Sequence, residues 1–230
     1  MCGRYALTRA LEELARRFDV LLPDEPLLDF APRYNLAPAE FAVVVVEKEG
    51  RRRFERMRWG LVPSWAKDAA AGFKCINARS ETIAEKPAFR GPFARTRCLV
   101  AADSFYEWPR PRRRGQPPVR ARLQDGGTFA MAGVWDEWRG GATPLRSFSI
   151  VTVAAAPPLA ALHDRMPAIL SREDEALWLD GSAHSERLLA ALRPSTLTLA
   201  PASSRLNKPG DDGPECWQAD PAVADTPSFL

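Results

Sequence analysis

The sequence is poor in the residues that build metal centres and disulfide frameworks, and it has no long apolar run. Its 230 residues include only two histidines. Its four cysteines are widely separated and form no CxxC pair: Cys2, Cys75, Cys98 and Cys216. A zinc site or a disulfide framework is therefore not expected, and reduced thiols in a cytosolic protein are the default. No run of about 18 apolar residues occurs, so no transmembrane helix is predicted.

The amino terminus lacks the apolar core of a secretory signal peptide, which predicts a cytoplasmic protein without a membrane partner. No metal and no cofactor are expected. No segment has the composition of an interdomain linker, so the sequence predicts one domain over residues 1–218 and a loose tail over 219–230. No heptad or apolar stripe indicates a stable oligomer, and a monomer is expected.

The net charge is only +3, but the basic residues are clustered. Arg51–Arg53 with Arg56 and Arg58 form one group, and a second group follows Trp108: Arg110, Arg112, Arg113 and Arg114. Such clusters are typical of solvated loops and hairpin faces. The other interpretation is an electrostatic surface for a polyanion.

The hydrophobic pattern predicts many strands and few helices. Thr8 is placed to cap a helix whose apolar face carries Leu11, Leu14, Ala15 and Phe18. Residues 23–32 read as a proline-rich loop. Further helices are predicted over 171–179, capped by Ser171, and over 184–192. Strands are predicted over 41–47, 51–59, 98–102, 119–123, 128–136, 146–154 and 197–203. The sequence therefore predicts an α+β fold, with a curled, mostly antiparallel, barrel-like sheet and a few flanking helices.

Cys2 stands in the part of a chain that usually frays, where packing does not explain a cysteine. If Met1 were removed, Cys2 would carry a free α-amine and a thiol on adjacent carbons. That pair can carry out chemistry that neither group performs alone.

Three polar segments fall where strands end, at 74–82, 105–109 and 162–167. Taken singly, each candidate has an ordinary explanation. Glu107 could be a solvent-facing strand residue, His163 a structural histidine, and Asn77 a turn residue. Together with Cys2 they supply a nucleophile, a carboxylate, an imidazole and an amide, which is a set for covalent catalysis.

The sequence resembles the SRAP family, the SOS-response-associated peptidases, which sense abasic sites in single-stranded DNA and crosslink to them. The matching segments run in order along nearly the whole chain: MCGRYAL (1–7), RYNLAP (33–38), WGLVPSWAKD (59–68), INARSET (76–82), KPAFR (86–90), RCLVAADSFYEW (97–108), AGVWDEW (132–138), FSIVTVAA (148–155), LHDRMPAIL (162–170) and DGP (212–214).

The resemblance implies the SRAP fold and an active site at the amino terminus. Cys2 would be the nucleophile, exposed by removal of Met1. Asn77, Glu107 and His163 fall where the family keeps its other active-site groups. An induced, damage-linked role and association with the nucleoid at damaged DNA are implied by the family alone.

The resemblance also implies a set of DNA contacts. Arg4 and Arg79 would contact phosphates, and Trp65 would stack on a base. Three residues would line the same cleft: Asn35, Pro38 and Thr152. The sequence departs from the family at Ala66, where relatives often carry a second aromatic, and at Asp211, where they often carry Asn.

The chemistry of an abasic site fits the proposed nucleophile. An α-amine has a reference pKa of about 7.7–8.0, so part of it is neutral at cytosolic pH and can form a Schiff base with the open-chain aldehyde. The adjacent thiol can then close a five-membered thiazolidine. Glu107 would move protons and orient the amine, His163 would act on the sugar hydroxyl, and Asn77 would donate to the sugar or a phosphate.

Two other functions fit the same residues. Cys2 could be the N-terminal nucleophile of an amidohydrolase or of a peptidase that clips its own leader. Alternatively, the protein could be a non-covalent reader of single-stranded or modified DNA in which Cys2 is incidental.

Overall fold

Thirteen strands and four α-helices make up the regular structure of the residues described by a computed structural model, which are 2–22, 30–111 and 116–220. The strands are β1 Tyr5–Leu7, β2 Arg33–Leu36, β3 Phe41–Lys48, β4 Arg51–Trp59, β5 Asn77–Arg79, β6 Arg97–Ala102, β7 Ser104–Glu107, β8 Val119–Arg122, β9 Phe129–Trp138, β10 Leu145–Ala154, β11 Arg165–Pro167, β12 Ile169–Leu170 and β13 Thr198–Pro201. The helices are α1 Leu11–Phe18, α2 Arg90–Arg95, α3 Arg172–Leu179 and α4 Ser185–Ala191.

The strands form two sheets around one core. The smaller sheet is antiparallel and has the order β13-β8-β7-β1-β2. In the larger sheet β10 pairs with both β4 and β9, so the strands β10, β4, β3, β6 and β9 close into a ring. This arrangement confirms the predicted α+β class and the barrel-like sheet. Two pairings are parallel, β10 with β4 and β10 with β5.

The run FAVVVVE lies where its composition predicts, in the middle of the barrel wall. β3 pairs with β4 on one side and with β6 on the other. Residues 42–46 are all buried, because both faces of this strand are covered. Most apolar residues of both sheets belong to one core, and a small second cluster consists of Ala6, Tyr106, Ala202, Leu206 and Cys216. The fold is a single domain, as predicted.

Three of the four α-helices lie close to their predicted positions, while α2 was not predicted. α1 buries Leu14, Ala15 and Phe18 as the periodicity predicts, but the residue before it is Ala10 and Thr8 does not cap it. Thr8 instead donates its hydroxyl to Asp103 at 2.8 Å, and so joins the start of the chain to the β6–β7 turn. The predicted Ser171 cap is confirmed, since its hydroxyl accepts from the Asp174 amide at 3.1 Å.

Some predictions fall on parts of the chain that the structure does not describe. These are most of the proline-rich loop (23–29), the arginines at 112–114 and the tail from 221 onward. The predicted loose tail begins at 219, and within it the Asp220 carboxylate accepts hydrogen bonds at 3.0 Å from the Ser203 hydroxyl and the Ser204 amide. Among the described residues, no helix is both long and apolar enough to cross a membrane.

Candidate active site at the amino terminus

Cys2 is completely buried, although it is the second residue of the chain. It lies three residues before the start of β1, which pairs with β2 and β7 in the smaller sheet. The side-chain amide of Asn77 donates to the Cys2 carbonyl at 2.8 Å, and the Cys2 sulfur lies 3.8 Å from the Arg4 carbonyl. The chain start is therefore fixed in position by backbone pairing and by a side chain that is 75 residues away.

Glu107 ends β7, the strand that pairs with β1. This pairing brings the carboxylate to the chain start, and Glu107 is itself buried. Burial raises the pKa of Glu107, because a charged carboxylate loses solvation there. Burial is also the main reason that the pKa of the Cys2 thiol is raised far above its usual range, and the negative charge of Glu107 adds to it. The site therefore favours a neutral thiol beside a carboxyl group that readily holds a proton.

His163 is buried at the turn before β11. Its Nδ1 lies 2.9 Å from the Arg165 amide nitrogen and 2.9 Å from the Asp164 carboxylate, while Arg110 contacts Nε2. An unprotonated Nδ1 accepts from the amide, whereas a protonated one donates to Asp164. Burial, together with the positive charge of Arg110, lowers the pKa of His163. The imidazole is therefore neutral near pH 7 and able to accept a proton.

An open cleft of about 400 Å³ brings several of these side chains together. Its lining consists of Gly3, Arg4, Pro38, Glu107, Trp108, Arg110 and His163. Four of these residues were predicted from the sequence. Trp108 and Arg110 were not, although Trp108 directly follows Glu107 in the chain and could have been found from that position.

Arg4 is held by the C-terminal part of the chain. Its guanidinium donates to the Leu206 carbonyl at 2.9 Å and to the Asn35 side-chain oxygen at 3.4 Å. The Asn35 side chain is fully buried and donates in turn to the carbonyls of Lys208 and Asp211, at 3.1 and 2.8 Å. Asn35 therefore lies behind Arg4, where it fixes the guanidinium, and it is not part of the cleft lining.

Strand β5 positions Asn77 and Arg79 against β10. Alternate residues of a strand share a face, so Arg79 follows Asn77 on one side of β5, where it is exposed. Thr152, opposite Arg79, is buried and donates its hydroxyl to the Ala78 carbonyl at 3.3 Å. Arg165 donates to the Thr152 carbonyl at 2.5 Å. Thr152 thus supports the β5–β10 junction from within.

Trp65 is the one predicted site residue that lies in a different depression. Its side chain is 66% exposed and borders a separate groove of about 460 Å³, together with Arg90, Arg95 and Asp136. The sequence pattern offered no signal that this aromatic residue borders a different groove from the cleft lined by Glu107 and His163.

Comparisons with known proteins agree with the order of the matching segments. A family model described as SOS response associated peptidase (SRAP) matches residues 1–209. The chain belongs to the SRAP family. It is 36% identical to the abasic site processing protein YoaM of Bacillus subtilis, over 96% of this chain and 99% of YoaM. It is 32% identical to the mouse abasic site processing protein HMCES, over 94% of this chain and 75% of that protein.

The SRAP family assignment also accounts for the fold. A solved protein structure from Bacteroides thetaiotaomicron superposes with a TM-score of 0.82 at 24% identity, covering 95% of this chain and 100% of the other. At that identity the likeness concerns the fold alone. The family prediction is confirmed, while the individual roles of the site residues stay predictions.

Proposed function

We propose that this SRAP protein processes abasic sites in single-stranded DNA by forming a covalent thiazolidine crosslink through Cys2. The observation that carries the proposal is the anchoring of a buried Cys2 by Asn77 beside Glu107, at a cleft edged by Arg4 and His163. The relatives YoaM and HMCES are named as abasic site processing proteins, which supports the substrate.

The reaction requires that Met1 be removed, so that Cys2 has a free α-amine. The amine nitrogen attacks the aldehyde carbon of the open-chain sugar and gives a carbinolamine. Loss of its hydroxyl as water leaves an iminium ion. The thiol sulfur then bonds to the same carbon, the C=N electron pair moves to nitrogen, and the thiol proton is released. Protein and DNA are joined with the net loss of one water.

Glu107 donates and accepts the protons that these steps transfer. Its raised pKa keeps a proton on the carboxyl group closer to neutral pH than an exposed glutamate would. The protonated group assists departure of the carbinolamine hydroxyl as water. The resulting carboxylate then accepts the thiol proton as the ring closes. One carboxyl group thus serves both steps and ends in its starting state.

His163 acts earlier, on the sugar. An abasic sugar is mostly a closed hemiacetal. As its anomeric hydroxyl loses a proton and becomes the aldehyde C=O, the bond from the anomeric carbon to the ring oxygen breaks, and that oxygen takes up a proton as a hydroxyl. The lowered pKa of His163 leaves the imidazole able to accept that proton. Among the described residues, none donates a hydrogen bond to the buried Oδ1 of Asn77. In the proposal, this oxygen accepts a hydrogen bond from a hydroxyl of the bound sugar.

A monomer is sufficient for the reaction, and basic side chains hold the DNA. The Arg4 guanidinium is fixed by Leu206 and Asn35, which reduces the entropy lost when it contacts a phosphate. Arg79 is exposed at the end of β5 and supplies a second phosphate contact. Both contacts weaken as salt concentration rises.

The test uses a single-stranded oligonucleotide with one abasic site, followed by a denaturing gel and intact mass measurement. The expected product has the mass of the protein without Met1 plus the DNA, less one water. Cys2→Ala should form no stable product, and Cys2→Ser a weaker one. A variant with a non-cleavable residue before Cys2 should fold normally and fail to crosslink.

Three results would contradict the proposal. An equally stable crosslink from Cys2→Ala would exclude the thiazolidine. Binding without a covalent product would favour a non-covalent reader, and Cys2-dependent turnover of a peptide or amide would favour a hydrolase. An undamaged oligonucleotide of the same sequence is the control for aldehyde dependence.

A further inference from the structure

Arg110 is a cleft residue to which the proposed reaction assigns no role. It follows Glu107 closely in the chain and lines the cleft beside His163, and its side chain is exposed. The backbone just before it is held, because the indole of Trp108 donates to the side-chain oxygen of Asn207 at 2.7 Å. The guanidinium therefore extends from a fixed support and is free to turn within the cleft.

The contact between Arg110 and Nε2 determines which ring nitrogen of His163 carries the proton. A guanidinium has only N–H donors, so Nε2 must offer its lone pair to Arg110. The hydrogen of the neutral ring is then on Nδ1, where the Asp164 carboxylate accepts it at 2.9 Å. This tautomer has its basic nitrogen on the side of the cleft, as the proposed ring opening requires.

Arg110 also covers the nitrogen that it keeps unprotonated. Nε2 has a single lone pair, so it cannot accept from the guanidinium and from a sugar hydroxyl at the same time. Burial, followed by the positive charges of the chain start and of Arg110, lowers the pKa of His163. The structure therefore holds the base in the correct tautomer, but with its lone pair occupied and its proton affinity reduced.

A phosphate can compete for this guanidinium, because its present partners hold it weakly. Apart from His163, Arg110 pairs with Asp164 at 3.6 Å, and the two side chains are 62% and 68% exposed. Exposed ion pairs contribute little to stability, because water solvates both charges. A phosphodiester instead accepts two charge-assisted hydrogen bonds from one guanidinium. A cleft of about 400 Å³ suits a group of small-molecule size, so a sugar beside His163 brings its own phosphates to Arg110.

We infer that Arg110 is a positioning and specificity residue, which caps His163 and releases it when a phosphate beside the abasic sugar binds the guanidinium. Release uncovers Nε2, leaves the Asp164 carboxylate to Nδ1 alone and removes a positive charge from beside the ring. Each effect makes His163 a stronger base for the anomeric proton. The inference rests on the proposed function and adds a condition to it, since a sugar without a neighbouring phosphate leaves the base capped.

The first test reads the protonation state of the His163 ring by NMR. The chain has only two histidines, and His184 lies outside the cleft, where it is an internal reference. The protein without Met1 is isotopically labelled at its imidazole nitrogens. It is mixed with single-stranded DNA containing a tetrahydrofuran, an abasic analogue that has no anomeric hydroxyl and cannot crosslink. The DNA should shift the Nε2 resonance of His163 and leave Nε2 unprotonated.

Arg110→Ala should reproduce the released state without DNA. A pH titration of this variant should give a higher pKa for His163 than in the native protein, because a nearby positive charge has been removed. The other charged groups around the ring stay in place: Arg4, Glu107, Asp164 and the α-amine of the chain start. Arg110→Lys should keep the pKa close to the native one, since an ammonium also donates to Nε2 and carries the charge.

The second test measures crosslinking rates at saturating protein with two abasic oligonucleotides. One has ordinary phosphodiesters beside the lesion, and the other has neutral methylphosphonates there. On the neutral substrate Arg110→Ala should accelerate crosslinking roughly 2- to 12-fold, which corresponds to the loss of one hydrogen bond to the base. On the phosphodiester substrate it should give no acceleration, because the phosphate already releases the cap. Arg187→Ala, which removes an exposed arginine of α4 outside the cleft, should change neither rate.

Three results would overturn the inference. One is an unchanged His163 spectrum on DNA binding, which would mean that no cap is released. The second is a proton on Nε2 in the DNA complex, with Nδ1 accepting from the Arg165 amide, which would make the ring a donor. The third is the same effect of Arg110→Ala on both substrates, or none, which would leave Arg110 only a general attraction for DNA. The NMR measurements need no crosslink, so failure of the thiazolidine chemistry would be seen separately.

Discussion

Asn77→Ala is the substitution that most directly tests how the chain start is held. It removes the donor that reaches the Cys2 carbonyl at 2.8 Å and leaves the surrounding strands paired. A buried acceptor that loses its partner costs about 1–3 kcal/mol. If the chain start becomes disordered without this hydrogen bond, a smaller fraction of the molecules holds Cys2 in the reactive position, by a factor that corresponds to the lost free energy.

Each 1.36 kcal/mol corresponds to a factor of about ten in rate. Asn77→Ala should therefore reduce the single-turnover crosslinking rate roughly 5- to 150-fold. The assay mixes excess protein with abasic single-stranded DNA and follows the covalent product over time. DNA affinity is measured separately with Cys2→Ala, so that a change in binding is not mistaken for a change in chemistry.

Thr96→Val provides a matched control. The Thr96 hydroxyl donates to the Trp135 carbonyl at 2.5 Å, and Thr96 does not line the cleft. Its loss should lower the free energy of unfolding by a similar amount and leave the crosslinking rate unchanged. A folded Asn77→Ala protein that crosslinks at the native rate would refute the anchoring argument.

The remaining predictions concern charge and the C-terminal part of the chain. Acid-assisted loss of water should make crosslinking slow as pH rises through the raised pKa of Glu107, and Glu107→Gln should flatten that limb of the pH–rate profile. Arg165 lowers the pKa of Glu81 by hydrogen bonding to its carboxylate. The ion pair therefore stabilises the fold near neutral pH, and this stabilisation is lost as pH falls through the folded pKa of Glu81. Glu81→Gln should lower the melting temperature at pH 7 but not in acid. Asp212 accepts from the Asn35 amide at 2.8 Å, and Asp212→Ala should lower the free energy of unfolding by about 1–3 kcal/mol in denaturant titrations.

The local elements could be predicted because their signals lie within a few residues. FAVVVVE indicates a strand covered on both faces, and Ser171 indicates a helix start. The candidate active-site set was predicted from residue chemistry, because a thiol and an amine at one terminus have few other uses, and the roles of its members stay predictions. Family resemblance then supplied the partners of Cys2.

Long-range contacts left no such signal. The closure of the barrel depends on β10 pairing in parallel with β4, and no local pattern distinguishes that partner from another strand. The contact between Arg4 and Leu206 spans 202 residues, so the burial of Asn35 behind Arg4 could not be read from RYNLAP. Thr8 was a plausible cap by spacing alone, but tertiary contact with Asp103 determined its place.

The electrostatics of the Cys2 site bear on the functions that the sequence left open. A thiol hydrolase needs a thiolate, and such sites lower the thiol pKa with a nearby positive charge. Here burial and the Glu107 carboxylate raise the pKa of Cys2, which suppresses the thiolate. The amine-first route has no such requirement, because the amine makes the first bond and the thiol adds to an iminium ion within the same residue. Thiol-specific alkylation of Cys2 should therefore be slow at neutral pH in the folded protein that retains Met1.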